Sequence, residues 1–344
     1  MPQQSLNREA GRILYHDLLS SPIHFPISFM YDGVQHKGLG DAEFMQQSSG
    51  NTPSGKRSMM LFALDANTTV TVDASLNDDY GQVEYTVWFE NIGSAPSAPL
   101  SEIRCLDTEF WGENPLLRGC LGDHESLYAS YERDLNRRAT YFSSTSGRAT
   151  HVNFPYFDLV HGNGGTMIAL GWAGTWDAHF AKADEDYTAV RCSSCLGFNA
   201  CLRPGEKIRT ALVVMLPYKG RDEQGAANLW REWWRKVNMP RANSRGDEIQ
   251  PFSTSCFCDD TGLPNSDGSI SERSFTWKPT LDKIIAENVK PDFRWFDAGW
   301  YFDPMGNTIE SAWWGNVGSW ELDRVKWPGN SFRESKLASG KLLI

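Results

Sequence analysis

The chain is short of positive charge: 33 Lys and Arg stand against 43 Asp and Glu, a formal net charge of −10. Faces that bind nucleic acid or anionic membranes are built from clustered cations, so neither is expected as a partner. Long apolar runs are missing too. None approaches the roughly 20 residues that a helix needs to cross a bilayer. The opening Met1-Pro2-Gln3-Gln4-Ser5-Leu6-Asn7-Arg8 lacks the basic-then-apolar pattern of a secretory leader, so the expected location is cytoplasmic. Histidine is absent beyond His179: all seven lie between His16 and His179, and no G-x-S-x-G elbow occurs in the later part. That argues against a Ser-His-Asp hydrolase there. There is no internal repeat, and the one biased tract, Ser94-Ala95-Pro96-Ser97-Ala98-Pro99, reads as a loop.

Paired cysteines are also lacking. The count is seven, an odd number that fits free thiols better than a disulfide framework. Cys192, Cys195 and Cys201, with Cys256 and Cys258 further on, raise a zinc site. The spacing is not a doubled C-x2-C and no histidine is near in sequence, so no metal is expected.

What is abundant is tryptophan, with 14 residues, in a chain that is 12% aromatic. Up to about residue 220 the chain reads as β-rich. Val83 to Glu90 alternates apolar and polar residues and turns at Asn91-Ile92-Gly93. Thr68–Asp73, Arg57–Leu64, Thr166–Trp172 and Ile208–Pro217 are further strand candidates. Many short strands between turn signals indicate a sandwich. Little 3.6-residue periodicity follows the short opening segment until Ala226–Val237, where Leu229, Trp230, Trp233, Trp234 and Val237 share one helical face. Those tryptophans read as docking residues. The helix stops before Pro240, and the polar stretch 241–248 reads as a linker.

From residue 249 the pattern alternates strand and helix. Ile249–Cys256, Phe293–Asp297 and Lys341–Ile344 read as strands. Trp277–Asn288 and Glu334–Ser339 read as helices. Such alternation implies parallel βαβ units. About 95 residues remain, against the roughly 250 that a (β/α)8 TIM barrel needs, and the chain ends on the apolar Leu342-Leu343-Ile344. The expected fold is therefore multidomain. A large β-supersandwich occupies 1–225, a helix and linker 226–248, and the first two to three units of a TIM barrel, interrupted at its end, occupy 249–344. The run Phe293-Arg294-Trp295-Phe296-Asp297-Ala298-Gly299-Trp300-Tyr301 puts a carboxylate at a strand's C-terminal end, where α/β folds place their chemistry. The aromatics after it offer flat faces suited to a sugar.

Several stretches, in order, resemble glycoside hydrolase family 36, the α-galactosidase group. Val83 to Gly93 is similar to its E-[WY]-T-x-x-F-x-N-x-G strand and turn. Ser146-Gly147-Arg148 with Phe154-Pro155-Tyr156-Phe157 resembles G-R…P-F-F, and Gly171-Trp172-Ala173-Gly174-Thr175-Trp176 resembles G-W-[ST]-G-x-W. Leu202-Arg203-Pro204-Gly205-Glu206 and Asn228-Leu229-Trp230-Arg231 resemble signals that precede the barrel. Phe296-Asp297-Ala298-Gly299-Trp300 looks like the D-[DA]-G-W end of the second barrel strand. Val317-Gly318-Ser319-Trp320-Glu321, with Lys326-Trp327-Pro328-Gly329 after it, resembles the segment that follows.

The resemblance implies a retaining α-glycosidase that needs no cofactor and acts on an oligosaccharide or glycoside. Asp297 would accept the sugar hydroxyls, Trp300 would wall the pocket and Trp320 would sit on the loop beyond. It also implies self-association through the sandwich. The nucleophile and acid/base of the family are aspartates on later strands, so no catalytic residue is expected before Ile344. A pair formed by Asp259 or Asp260 with Asp297 is the alternative within the chain. Two departures point to a subgroup with its own substrate preference. Ala298 stands where many members have a second acid, and Pro251-Phe252-Ser253-Thr254-Ser255-Cys256 lacks the first-strand tryptophan. A carbohydrate-binding or structural β-sandwich protein without hydrolase activity is the other function class.

Overall fold

The computed structural model describes residues 2–249 except 125, 195, 221 and 222, together with 254–256, 286–289, 292–295, 320–322, 331–333 and 342–343. It divides into two compact units, Met1–Met239 and Pro240–Ile344.

The first unit opens with helix α1 (Pro2–Ser20), 19 residues long, so the opening segment is a helix of five turns. Strands follow in chain order: β1 (Ser28–Tyr31), β2 (Val34–Lys37), β3 (Glu43–Thr52), β4 (Gly55–Ala63), β5 (Thr68–Asn77) and β6 (Gln82–Asn91). Next come β7 (Leu100–Arg104), β8 (Leu106–Trp111), β9 (Leu116–Leu121), β10 (Ser130–Asp134), β11 (Thr140–Ser144) and β12 (Asn153–His161). The unit is completed by β13 (Gly164–Gly171), β14 (Trp176–Lys182), β15 (Tyr187–Ser193), β16 (Asn199–Ala200), β17 (Lys207–Arg209), β18 (Leu212–Lys219) and helix α2 (Glu223–Trp233).

One layer is a large antiparallel sheet in the order β10-β9-β12-β13-β18-β6-β5-β4-β3, with β17 also on β6. The facing layer holds two four-stranded sheets, β16-β7-β1-β2 and β11-β14-β15-β8. The alternation that marks β6 in the sequence sets the core: Val83, Tyr85, Val87 and Phe89 are fully buried on one face, as the pleat requires. They meet Phe25 and Phe29 edge to face, with centroids 5.0 Å apart in both pairs. The Tyr85 hydroxyl, otherwise stranded there, donates to the Cys105 carbonyl at 2.8 Å. Phe157, Trp176 and Phe180 continue the core at the other end. Asp32 and Gly33, both with positive φ, make the two-residue turn between β1 and β2, the backbone that an Asp-Gly pair favours.

The sequence suggests one strand over Ile208–Pro217, whereas the structure interrupts it at Thr210 and Ala211. There the Thr210 Oγ1 accepts the Val87 N–H at 3.1 Å and the Ala211 N–H turns away to Ser194 Oγ at 2.8 Å. Side chains have taken over ladder bonds, which splits β17 from β18.

Helix α1 lies against β18, β6 and β5, burying Tyr15 and Leu18. The buried Asn7 accepts the Lys219 N–H through Oδ1 at 2.8 Å. Gly11 permits the close approach: a Cβ there would stand 1.9 Å from the Gly81 carbonyl oxygen. Backbone cannot yield as a side chain does, so G11A is expected to lift α1 and to cost about 1–3 kcal/mol. Urea unfolding and proteolysis of the N-terminal segment would check this, and an unchanged midpoint would refute it.

The docking face expected of the Ala226–Val237 helix is partly confirmed. Trp233 is buried with Met167, Leu216 and Tyr218, and Trp230 packs beside it. The Trp233 Nε1–H donates to Gln82 Oε1 at 3.2 Å. Trp234 and Val237 stay largely exposed. From Trp234 to Asn238 the helix widens to a π turn, which shifts the phase of the face.

The described residues of the second unit include three parallel strands, β19 (Thr254–Cys256), β20 (Phe293–Trp295) and β21 (Leu342–Leu343), in the order β19-β20-β21. Of the strand expected over Ile249–Cys256, Thr254–Cys256 is in place, 250–253 lie outside the described residues, and Ile249 donates its N–H to the Arg241 carbonyl at 2.8 Å. The helix expected at 334–339 lies outside the described residues, as does most of that expected at 277–288.

Candidate functional site

Parallel pairing aligns strand ends. Cys256 stands opposite Trp295 in the β19–β20 register, so the two C-terminal ends share one edge, where open and closed parallel sheets bind their ligands. Asp297 follows Trp295 by two residues in the chain. Asp297 and Trp300 lie outside the described residues, as do Asp259 and Asp260. Trp320 is described: its backbone has φ of +58 and its side chain is 79% exposed.

Among the described carboxylates, Asp158 is the most strongly perturbed. In β12, Phe157 and Leu159 join the main core while Asp158 stands on the opposite face, 5% exposed. Burial raises its pKa to about 6, against the opposing pull of the Tyr218 hydroxyl and the Arg118 charge. Tyr218 donates to Asp158 Oδ1 at 2.8 Å, and Arg118 Nε reaches Glu132 at 2.8 Å. Nearby, Tyr156 packs against Trp230 of α2 at 4.9 Å. A retaining glycosidase needs two carboxyl groups about 5–5.5 Å apart and open to substrate. Asp158 is buried and hydrogen-bonded to Tyr218, so it does not present the open carboxyl pair that this chemistry needs. The sequence signal of this buried carboxylate is an acid inside the apolar run Phe157-Asp158-Leu159-Val160.

Among the described residues, Cys105, Cys120, Cys192 and Cys201 are free thiols. Cys105 and Cys192 are buried, with Cys105 Sγ 3.3 Å from the Cys192 carbonyl oxygen, and burial pushes the Cys192 thiol well up. Cys201 is exposed, and Cys195 and Cys258 lie outside the described residues. Among the described residues, no three His, Cys, Asp or Glu side chains are grouped to hold a metal ion.

No protein-family model and no curated protein matches the sequence. Solved structures do match. The GH36 α-galactosidase AgaB from Geobacillus stearothermophilus superposes on 92% of this chain with a TM-score of 0.64 and 15% identity. The fold is that of a GH36 α-galactosidase. The galactosidase domain of the α-galactosidase–sucrose kinase AgaSK gives a TM-score of 0.67 at 16% identity over 92% of the chain. The Lactobacillus brevis α-galactosidase gives 0.67 at 11% identity, again over 92%. In each case this chain spans 44% of the other's length. At these identities the likeness is one of fold. No helix among the described residues is long and apolar enough to cross a membrane.

Proposed function

We propose that the chain is the sandwich and first barrel units of a retaining α-glycosidase, one that removes terminal α-linked galactose or a related sugar by double displacement through a glycosyl-enzyme intermediate. The observation that carries the reading is the β19–β20 parallel register within a fold shared with GH36 α-galactosidases. Asp297, two residues past β20, would accept two sugar hydroxyls as an ionised carboxylate. Trp300 would wall the sugar's apolar face, and Trp320 would contribute from a later loop. Related solved structures are complexes with 1-deoxygalactonojirimycin, raffinose and stachyose, ligands of the class proposed here. The nucleophile and acid/base would come from strands that follow Ile344. Ala298 supplies no second acid beside Asp297, which favours a sugar preference different from that of enzymes carrying D-D-G-W.

The reading frame past codon 344 provides one test. A continuation with an aspartate ending a fourth barrel strand supports the enzyme; a stop codon supports a non-hydrolytic sandwich. The second test is a panel of nitrophenyl α- and β-glycosides. The 344-residue chain is expected to cleave none, whereas the product of a continuing frame should cleave an α-glycoside and lose at least about 100-fold in kcat/KM on D297N. Cleavage by the 344-residue chain that D297N abolishes would place the chemistry inside it and overturn the assignment beyond Ile344.

A further inference from the structure

The outer face of the β11-β14-β15-β8 sheet carries an arrangement that no part of the proposed catalytic site uses. Register places Tyr141, His179, Arg191 and Asp107 in one row across its four strands. The next row of that face is Ala181, Ala189 and Glu109, and the one after it pairs Tyr187 with Trp111. Directly paired residues project to the same side. The neighbours of opposite parity, Phe142, Phe180, Val190 and Leu106, are buried in the core. The rows named first are therefore the solvent side.

Three aromatics stand out on that side. Trp111 is 67% exposed, Tyr141 59% and Tyr187 40%. Tyr187 and Arg191 are four residues apart on β15, so the aromatic pair and the Tyr141 row are separated by about 13 Å along the strands. Between these aromatic borders lie Ala181, Glu109 and Ala189, the last only 4% exposed. The polar groups around them are organised in advance. Asp107 accepts Ser28 Oγ at 2.6 Å and lies 3.3 Å from both Arg104 and Arg191. The Tyr141 hydroxyl lies 3.4 Å from Asp177. Across the rows two arginines stand against Asp107, Glu109 and Asp177, and the exposed Asp184, Glu185 and Asp186 before Tyr187 make the aromatic end acidic.

The backbone of the aromatic end is tied down although its rings are exposed. His161 Nδ1 is 2.7 Å from the Trp111 carbonyl and its Nε2 is 3.2 Å from Thr166 Oγ1. A carbonyl can only accept, so Nδ1 carries the proton, and burial keeps the ring neutral by lowering its pKa. On the far side the Gly112 N–H bonds the Asp186 carbonyl at 2.7 Å, tying the end of β8 to the turn before Tyr187.

We propose that this face is a binding site for a neutral oligosaccharide chain. Stacking aromatics about 13 Å apart along the strands, with carboxylates and a guanidinium among them, match the alternating C–H faces and hydroxyls of a glycan. The acids beside Tyr187 and the chain's net −10 repel a polyanion. The site needs no turnover, so it stands or falls apart from the glycosidase reading.

Affinity electrophoresis through native gels containing galactomannan, xyloglucan, mixed-linkage β-glucan or polygalacturonate tests it. Retardation by at least one neutral polysaccharide is expected, reduced at least about tenfold in W111A and in Y187A and unchanged in Y128A, which removes an exposed aromatic elsewhere. Because Trp111 projects into solvent, W111A should unfold at the wild-type temperature. A gel of free dye-labelled protein and a size-exclusion run accompany the series. No retardation in any neutral gel, retardation that W111A leaves intact, or retention by polygalacturonate alone overturns the proposal. So does a dimer that W111A dissolves, because the face would then belong to a second copy.

Discussion

Trp176→Ala is expected to lower the stability of the first unit by about 3–5 kcal/mol, the range found when a buried Trp or Phe is cut to alanine. Trp176 is fully buried, lies edge-on to Phe157 at 5.8 Å, and sits where β14 closes on β11. Its Nε1–H donates to the Ala149 carbonyl at 2.7 Å. The substitution therefore leaves both a cavity and an acceptor without its partner. Trp176→Phe keeps most of the volume and should cost distinctly less. Urea denaturation at constant slope separates the two; equal midpoints for both variants would show that packing at this corner is not what matters.

The second large effect is tied to pH. Asp158 titrates at about 6 in the folded protein against an ordinary 3.8. The folded state thus holds this proton more tightly than the unfolded chain. Its contribution to stability is complete below the unfolded value and is lost as pH rises through about 6. A shift of about two units corresponds to about 3 kcal/mol. Asp158→Asn cannot ionise and its amide oxygen can still accept from Tyr218. The variant is expected to gain up to about 3 kcal/mol over the parent at pH 8 and nothing at pH 3.5. Comparing the two proteins at each pH cancels every other titrating group. A difference that does not change between pH 4 and 8 would sink the idea.

Much of the sandwich is legible in the sequence because one face of each strand is buried and the other is not. The alternation of Val83 to Glu90 and the β-branched run from Thr68 predict β6 and β5 within a few residues. What sequence cannot express is register. Trp111 and Tyr187 are 76 positions apart and become a pair only through the β8–β15 ladder, so the outer aromatic face has no local signature. The break at Thr210 is hidden for a similar reason, since Ser194 and Val87 cause it from elsewhere in the chain. The expected catalytic half rests on a different kind of signal. Asp297 and Trp300 are singled out by motif, and β20 before them is in place, but the side chains that would define a pocket fall outside the described residues.

The contact between Asn7 and Lys219 also bears on how the protein comes to exist. These residues are 212 positions apart, and between them β18 slots between β13 and β6 in the middle of the large sheet. Contact order is correspondingly high, and folding on the millisecond-to-second scale typical of non-local β topologies is expected. During synthesis at roughly 5–20 residues per second, helix α1 emerges more than ten seconds before its docking strand. Until then the nascent sheet has a gap at its centre, with the edges of β6 and β13 both open to pairing, so the interval before β18 arrives is when a chaperone would have most to protect.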